Sequence, residues 1–521
     1  MSERYLTMLD VSQKQSYIFS SNKLKDNVIN SVVIDRIMKP EYFEKAVASE
    51  DIFSTKKNLV YSGGGHSILE FDSREKGVAF TRTVTAKIHR EYADIEVYAV
   101  TIPYQSRRED GELMTPGENI KRLSDALRKK KNIRRTVFHQ GSFGIEHIDS
   151  TTLKPIRIDG PAVDKMSEKE EEIDKKYIPG NYRNVSHFES LGGDKGNSNY
   201  IAVVHIDGNA MGERIKKMYE KYGDMEWDVY RENLRSYSKG VDEDFKSAYK
   251  EMAKCVAKNL DEGRLKELKL KDNAFPVRRI ITAGDDVCFV SEGRIGIECA
   301  VAFLRALGKK EQGYAACAGV AIVHQKYPFY RAYEMAELLC KNAKKLGVSL
   351  DDRMGKEVSA IDWHIEYGEM GESLEEIRRK YQTADGKRLE MRPYIVSAPK
   401  EISEIEPFRQ YDNFKKLMAG LLSDKISYAK GKIKEMKMAL REGEVRTGYY
   451  LKFNKIEDIT LESYYDIFKE MDCGKIFTGQ ETERPVFVET HDKKQRSYLY
   501  DAIELMDTYI NLEVGKDEDE N

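Results

Sequence analysis

RRIITAGDDVCFV, residues 278–290, reads as two short β-strands joined by a tight turn: apolar residues run into Gly284-Asp285-Asp286 and resume at once as Val287-Cys288-Phe289-Val290. The turn carries two adjacent carboxylates. Two acids at a hairpin tip repel each other unless a cation lies between them, and hard oxygen ligands suit Mg2+ or Mn2+. Glycine followed by aspartate is also ordinary turn chemistry, so this segment alone reads equally well as a solvated hairpin. A second segment favours the metal. IAVVHIDGNAMG, residues 201–212, puts another carboxylate, Asp207, at the end of another apolar strand.

If these strands are neighbours, about 4.8 Å apart, then Asp207, Asp285 and Asp286 converge at one edge of a sheet. Such a set holds two divalent ions roughly 3.5 to 4 Å apart, with the carbonyl of Ile206 as an extra oxygen ligand. One ion would activate an attacking hydroxyl, and the other would bind triphosphate oxygens and offset charge on departing pyrophosphate. The loop Gly208, Asn209, Ala210, Met211, Gly212 opens onto a helix, and its N–H groups form a triphosphate cradle. Gly208, Gly212 and Gly284 admit close approach to a nucleotide, and Asn209 is a candidate partner for a ribose or a base. Lys341, Lys344 and Lys345 cluster late in a helix; complementing its C-terminus and clamping a triphosphate both remain open. His205 shares a strand face with Asp207 and reads as a satisfied polar residue, because the metal in question prefers oxygen.

Composition bounds the rest. Charged residues make up 34% of the 521, yet the net charge is −3, so no global basic field recruits nucleic acid or a membrane. The opening MSERYLTMLD has no signal-peptide pattern, and the most apolar window, 295–307, is interrupted by Glu298 and Arg305 and too short to span a bilayer. Six scattered cysteines without a CxxC pair fit small buried hydrophobes in a reducing cytoplasm.

Taken in order, residues 5–10 form a strand, 12–38 have helical spacing, 41–49 a second helix, and 58–71 (NLVYSGGGHSILEF) a strand, glycine turn and strand. A helix over 81–92 and a strand over 93–103 follow. Residues 117–135 form a helix ending in a basic run, Lys121, Arg122, Arg128, Lys129, Lys130, Lys131, Arg134 and Arg135. The run could grip RNA phosphates, but it lacks interleaved aromatic residues and better fits a solvated face. A mixed-charge helix covers 165–176, and the Gly-, Asn- and Ser-rich stretch 179–199 reads as a linker.

The second half repeats the first: strand 200–207, helix 213–222, an insertion over 223–239, a helix over 242–268, the hairpin, a helix over 294–307, a strand over 314–323 and a helix over 328–346. Asp10 corresponds to Asp207, and Ser62-Gly63-Gly64-Gly65-His66 corresponds to Thr282-Ala283-Gly284-Asp285-Asp286. Beyond residue 350 the periodicity is mostly helical, at 374–381, 406–422, 425–441 and 495–512, before an acidic tail read as disordered, GKDEDEN.

Five motifs in order carry a resemblance. LDVSQKQSYIFSSNKLKDNVINS, YSGGGHSILEF, IAVVHIDGNAMGE, RRIITAGDDVCFV and AACAGVAIVHQKYPFYRAYEMAELLCKNAKK resemble the conserved segments of the large subunits of type III CRISPR effectors, the Cas ten family, and most closely its Cmr-type branch. Arg392-Pro393-Tyr394 also fits. The resemblance implies an α+β fold with two ferredoxin-like palm domains of the nucleotidyl cyclase kind. Its domains would be a degenerate first palm over 1–178, the linker, a catalytic second palm over 200–365 and a helical C-terminal domain over 366–521.

It also implies an enzyme of antiviral defence that converts ATP, using Mg2+ or Mn2+, into cyclic oligoadenylates. Asp207 and Asp285 would be metal ligands, with Asp286 a further carboxylate near the reacting hydroxyl. Lys344, in Ala343-Lys344-Lys345-Leu346-Gly347, matches the phosphate-contacting lysine of related GGDEF cyclases. Effector subunits and guide or target RNA would be partners, and a homodimer would be one route to pairing two substrates. The first palm, with Gly65 and His66 in place of acids, would be non-catalytic but able to hold a second nucleotide.

The chain departs from the family pattern in Ala283 for a glycine, Asn209 for an acid, and the lack of an HD nuclease domain and of a cysteine zinc cluster. DNA cleavage is therefore not expected, and the one adjacent His491-Asp492 pair is isolated. An RNA-bound scaffold and a mononucleotide cyclase are the alternatives; three converging acids argue against the scaffold.

Overall fold

Short apolar strands build two antiparallel units, and the second repeats the strand order of the first. A computed structural model describes residues 4–92, 94–133, 175–191, 199–222, 226–350, 357–368, 372–423, 429–455 and 486–513. In the first unit β1 (Tyr5–Val11), β2 (Leu59–Gly63), β3 (His66–Phe71) and β4 (Val97–Pro103) lie in the order β2-β3-β1-β4. In the second, β5 (Tyr200–Gly208), β6 (Val277–Ala283), β7 (Asp286–Glu292) and β8 (Ala316–His324) lie as β6-β7-β5-β8. Asp10 stands opposite His66, and Asp207 opposite Asp286. The second sheet continues through β9 (Ser359–Ile365), parallel to β8, to β10 (Tyr394–Ser397).

β5 is apolar almost throughout because both its faces are covered. Its alternate residues enter two cores. Ala202, Val204 and Ile206 pack with the helices Trp227–Asp261 and Gly296–Gly308, whereas Ile201 and Val203 pack with Phe329–Leu350 and with Leu24–Ile37 of the first unit. Asp207 and Asp286 share the parity of the second set, so the acids lie on the face turned toward the first unit.

The helix expected over 242–268 is corrected: it runs from Trp227 to Asp261, so the described residues from Trp227 of the stretch read as an insertion form its first third. Its apolar positions explain the length. Trp227, Tyr230 and Leu234 pack against Leu6, Val60, Ile68, Ile120 and Leu123 of the first unit, and Val241, Phe245 and Met252 pack in the core of the second. Trp227 Nε1 also donates to Glu70 at 2.6 Å. On the other side Phe19 meets Tyr333 with ring centroids 4.1 Å apart, and Gln15 Nε2 donates to Tyr333 Oη at 2.9 Å. Both units therefore face each other within a single chain.

Within the stretch 179–191, Arg183 exchanges backbone hydrogen bonds with Asn273 and Phe275, and Val185, Phe188 and Leu191 are buried. Among the described residues after 350 most elements are helices, as expected, including Leu374–Arg379, Tyr411–Leu422 and Lys430–Arg441, but the helix expected over 495–512 is corrected. β10 extends the second sheet, and 495–512 holds the strand β12 (Gln495–Ser497), paired with β11 (Phe487–Glu489), and only a short helix, Tyr500–Leu505. Trp363, Tyr394, Phe414, Tyr500 and Leu512 share a core with the second sheet, so packing overrides local periodicity here. Buried Glu298 accepts from Tyr509 Oη at 2.8 Å, Lys415 Nζ at 2.6 Å and Leu512 N at 3.2 Å, and also from Tyr411 Oη. Most of the helix expected over 165–176, Cys473 and the acidic tail lie outside the described residues. Cys288, Cys299, Cys317 and Cys340 are buried free thiols and Cys255 is half-buried. Among the described residues no helix is long and apolar enough to cross a membrane.

Candidate active site

Ala283 pairs with Asp286, so Gly284 and Asp285 are the whole turn of the β6–β7 hairpin. Gly284 has φ +63° while Asp285 is not left-handed, which fits a two-residue turn that needs glycine first. Asp285 thus takes the apex and Asp286 the first ladder position, across from Asp207. Gly208 follows Asp207, and its N–H donates to Asp285 O at 3.2 Å. A Cβ on Gly208 would lie 2.9 Å from that of Asp285, so glycine is what lets the strand end approach the turn.

Lys344 closes the cluster from the neighbouring helix. Its Nζ donates to Asp207 Oδ2 at 2.6 Å and to Gly208 O at 2.8 Å. The reach depends on Gly319 of β8, where any Cβ would collide with the backbone of Ala336 and Cys340. Burial works against the Lys344 charge, but Asp207 outweighs it and raises the ammonium pKa.

The acids strain one another. Burial, with the Asp207 charge next, pushes Asp285 up to about 6. Asp286 is also raised, first by burial and then by Asp207, while His205 opposes. His205 Nδ1 faces Asp286 Oδ1 at 3.5 Å, and neither buried atom has a hydrogen-bond partner. The Asp207 and Asp286 side chains keep 41% and 38% of their exposure, so the cluster opens outward.

Among the described residues no three acids, histidines or cysteines stand in a ready-made coordination sphere. Lys344 draws Asp207 aside, and the acids share an edge instead. The donor set nevertheless suits a hard cation: three carboxylates, one with an orphaned oxygen and one held up at about 6 by burial and then by the Asp207 charge, are the environment a divalent ion relieves. Ile206 lies in the ladder between Val287 and Ala318, next to these acids.

The remaining expected contacts divide. Ala210, at φ +55°, turns the chain into the helix Met211–Tyr222, and Gly212 has open space around it. Asn209 is buried, its Nδ2 donating to Val358 O at 2.8 Å, so it ties the loop to the start of β9. Met211 packs on the core beside Tyr237. Lys341 is apart from the acids, paired with Glu337 at 2.8 Å. The basic run also turns partly inward: Lys131 binds Asp10 and Lys130 Nζ donates to Ala99 O, whereas Arg128 stays exposed and pairs with Asp125 of its own helix at 2.8 Å.

Sequence reading missed three neighbours. Asp242 Oδ1 accepts from Gly284 N at 3.3 Å; Tyr61 of the first unit lies where the Asp285 and Asp242 charges raise its pKa beyond the larger effect of burial; Lys14 lies near enough to lower that of Asp286. Their signal was faint. Only the register of the duplication singles out Lys14, four residues past Asp10 as Met211 is four past Asp207.

Residues 200–349 match the family model described as Cas10/Cmr2, second palm domain. The chain carries a Cas10/Cmr2 second palm domain. Over nearly its whole length the chain is similar to solved Csm1 structures. It matches Csm1 in T. onnurineus at 17% identity with a TM-score of 0.56, covering 98% of this chain and 70% of that one. The Csm1–Csm4 cassette in complex with cA4 matches at 15% identity and 0.54, covering 97% and 70%. Csm1–Csm4 of the type III-A CRISPR-Csm interference complex matches at 16% and 0.54, covering 96% and 69%. No curated protein matches by sequence. The second palm domain thus contains β5 to β8, the hairpin and Lys344, and it packs against a first unit with the same strand order.

Proposed function

We propose that this chain is a nucleotidyltransferase that joins ATP into a cyclic oligoadenylate or dinucleotide, with release of pyrophosphate. The first unit is then a degenerate palm of the same ferredoxin-like kind as the second, and their facing surfaces bring two nucleotides together in one chain. The observation that carries this reading is the cross-strand pair Asp207 and Asp286 with Asp285 at the adjoining turn. Three carboxylates on an open sheet edge have no structural task there, since they weaken the fold that holds them.

Asp207, Asp285 and Asp286 would hold Mg2+ or Mn2+, with the Ile206 carbonyl adjacent. Bound there, the ions would lower the pKa of an attacking ribose hydroxyl and neutralise the triphosphate. Lys344 stays charged beside Asp207 and supplies a fixed cation to phosphate oxygens. Gly208 and Gly212 leave room for backbone approach, while Asn209 and Ala210 set the loop. The similar Csm1 structures hold Csm4, cA4 and, in another case, pppApApA, which supports an adenylate product and an effector-type protein partner for this chain. Guide or target RNA would be the natural switch.

Purified protein with labelled ATP or other NTPs and Mg2+ or Mn2+, with and without target RNA, beside Asp285→Ala, tests the reading. A metal-dependent product lost in the variant is expected. Absence of product from every NTP would sink it, and a mononucleotide product would reassign the reaction.

A further inference from the structure

His205 shares with Asp286 the sheet face turned toward the first unit. It stands in register with Cys288 of β7 and Gly319 of β8, so Asp286, two residues before Cys288, is its diagonal neighbour. One flanking residue is small and the other has no side chain, which leaves room for an imidazole. His205 is buried there, and its ring meets that of Tyr333 edge to face, with centroids 5.4 Å apart and planes at 78°. Tyr333 in turn is held by the first unit, where Gln15 Nε2 donates to its Oη at 2.9 Å and the Phe19 ring lies 4.1 Å away. A histidine with a purely structural task would have its buried nitrogens hydrogen-bonded. Here Nδ1 has no partner, and Asp286 Oδ1, which it faces at 3.5 Å, has none either. Each is the polar group within reach of the other.

We infer that His205 is a positioning residue for Asp286: its Nδ1–H donates to Oδ1 and so turns Oδ2 outward, toward a divalent ion. The ion rests on the function proposed above; the hydrogen bond does not. An aspartate carboxyl rotates freely about its last torsion, and a small rotation closes the 3.5 Å gap. Fixing one oxygen from behind removes that freedom before an ion arrives, which is how hydrogen-bonded carboxylates are held ready as metal ligands. His205 therefore acts through Asp286 and touches neither ion nor nucleotide. Because Tyr333 packs on the imidazole, and Gln15 and Phe19 hold Tyr333, the aim of an acid in the second unit is set in part from the first.

Two measurements on the full chain test this. In EDTA, 15N spectra of histidine-labelled protein, with the signal assigned by its loss in His205→Gln, should show a proton on Nδ1 of His205, and Asp286→Ala should shift that signal. Titration with Mn2+, followed by electron paramagnetic resonance, should then find His205→Phe, which keeps a ring against Tyr333 but has no donor, weaker by about tenfold or more. His205→Gln, which restores a donor, should recover most of the affinity, and the melting temperatures in EDTA should agree. A bare Nδ1, a signal unmoved by Asp286→Ala, no Mn2+ binding by wild type, or equal Mn2+ affinity in His205→Phe would overturn the inference. If His205→Phe does not fold, the spectra of wild type and Asp286→Ala decide. A chain that makes no product, yet shows the protonated Nδ1 and a Mn2+ affinity that follows the donor, would contradict the enzyme reading and support this one. Product formation with full Mn2+ affinity in His205→Phe would do the reverse.

Discussion

Asp207 faces Asp286 across the β5–β7 ladder, the register position that Asp10 and His66 occupy across β1 and β3. Directly opposed like charges destabilise a sheet. The fold retains that cost in one unit and has removed it in the other, where a histidine and two lysines surround the remaining acid.

The cost should be measurable. A carboxyl held at about 6 in the fold and at its ordinary 3.8 when unfolded penalises the folded state above pH 6, and the penalty is gone below 3.8. Asp285→Asn should therefore raise the melting temperature at pH 8 without divalent ions. After allowance for partial exposure the gain is about 1–2 kcal/mol, and it should vanish as pH falls toward 4. Thermal melts across that range check it; a gain that grows on acidification would contradict the sign.

Gly319→Ala should lower stability by about 1–3 kcal/mol, because its Cβ meets the backbone of Ala336 and Cys340 and the helix Phe329–Leu350 must lift from β8. The same lift withdraws Lys344 from Asp207. Denaturant unfolding reads the first effect, and loss of product formation with the fold intact reads the second.

Lys344→Met should leave stability within about 1 kcal/mol, since this pair is partly exposed. Product formation should fall by about tenfold or more, through loss of a phosphate-facing cation. Initial rates against NTP concentration, beside melts, separate the two.

Trp227→Ala removes a buried ring from the junction of the long helix with the first unit and leaves Glu70 without its indole donor. A loss of about 3–5 kcal/mol is expected. The first unit should unfold before the second, giving two steps where wild type gives one. Hydrogen exchange across both sheets would show this.

Much of this was legible in the sequence, and particular residues show where it stopped. Short apolar runs and the glycine turns marked β1 to β8, but the apolar run of β5 announced only a strand, and the packing is what shows both its faces covered. The three acids were legible because charge at the end of an apolar strand is rare without a purpose. Asn209 was not: its type suits a ribose, but a loop sharing an edge with β9 needed a donor for Val358 O. Lys341 and Lys344 looked alike, and only helix phase, set by the close approach at Gly319, separates them. The segment 495–512 has helical periodicity, yet Gln495–Ser497 pairs with Phe487–Glu489, a partner no local pattern reveals.

The most direct test of the central claim is Mn2+ binding followed by electron paramagnetic resonance in the presence of a non-hydrolysable ATP analogue. Wild type should bind two ions. Asp207→Asn, Asp285→Ala and Asp286→Asn should each lose at least one while remaining folded. Unchanged Mn2+ binding in all three variants would contradict the assignment of this edge of the sheet as the metal centre.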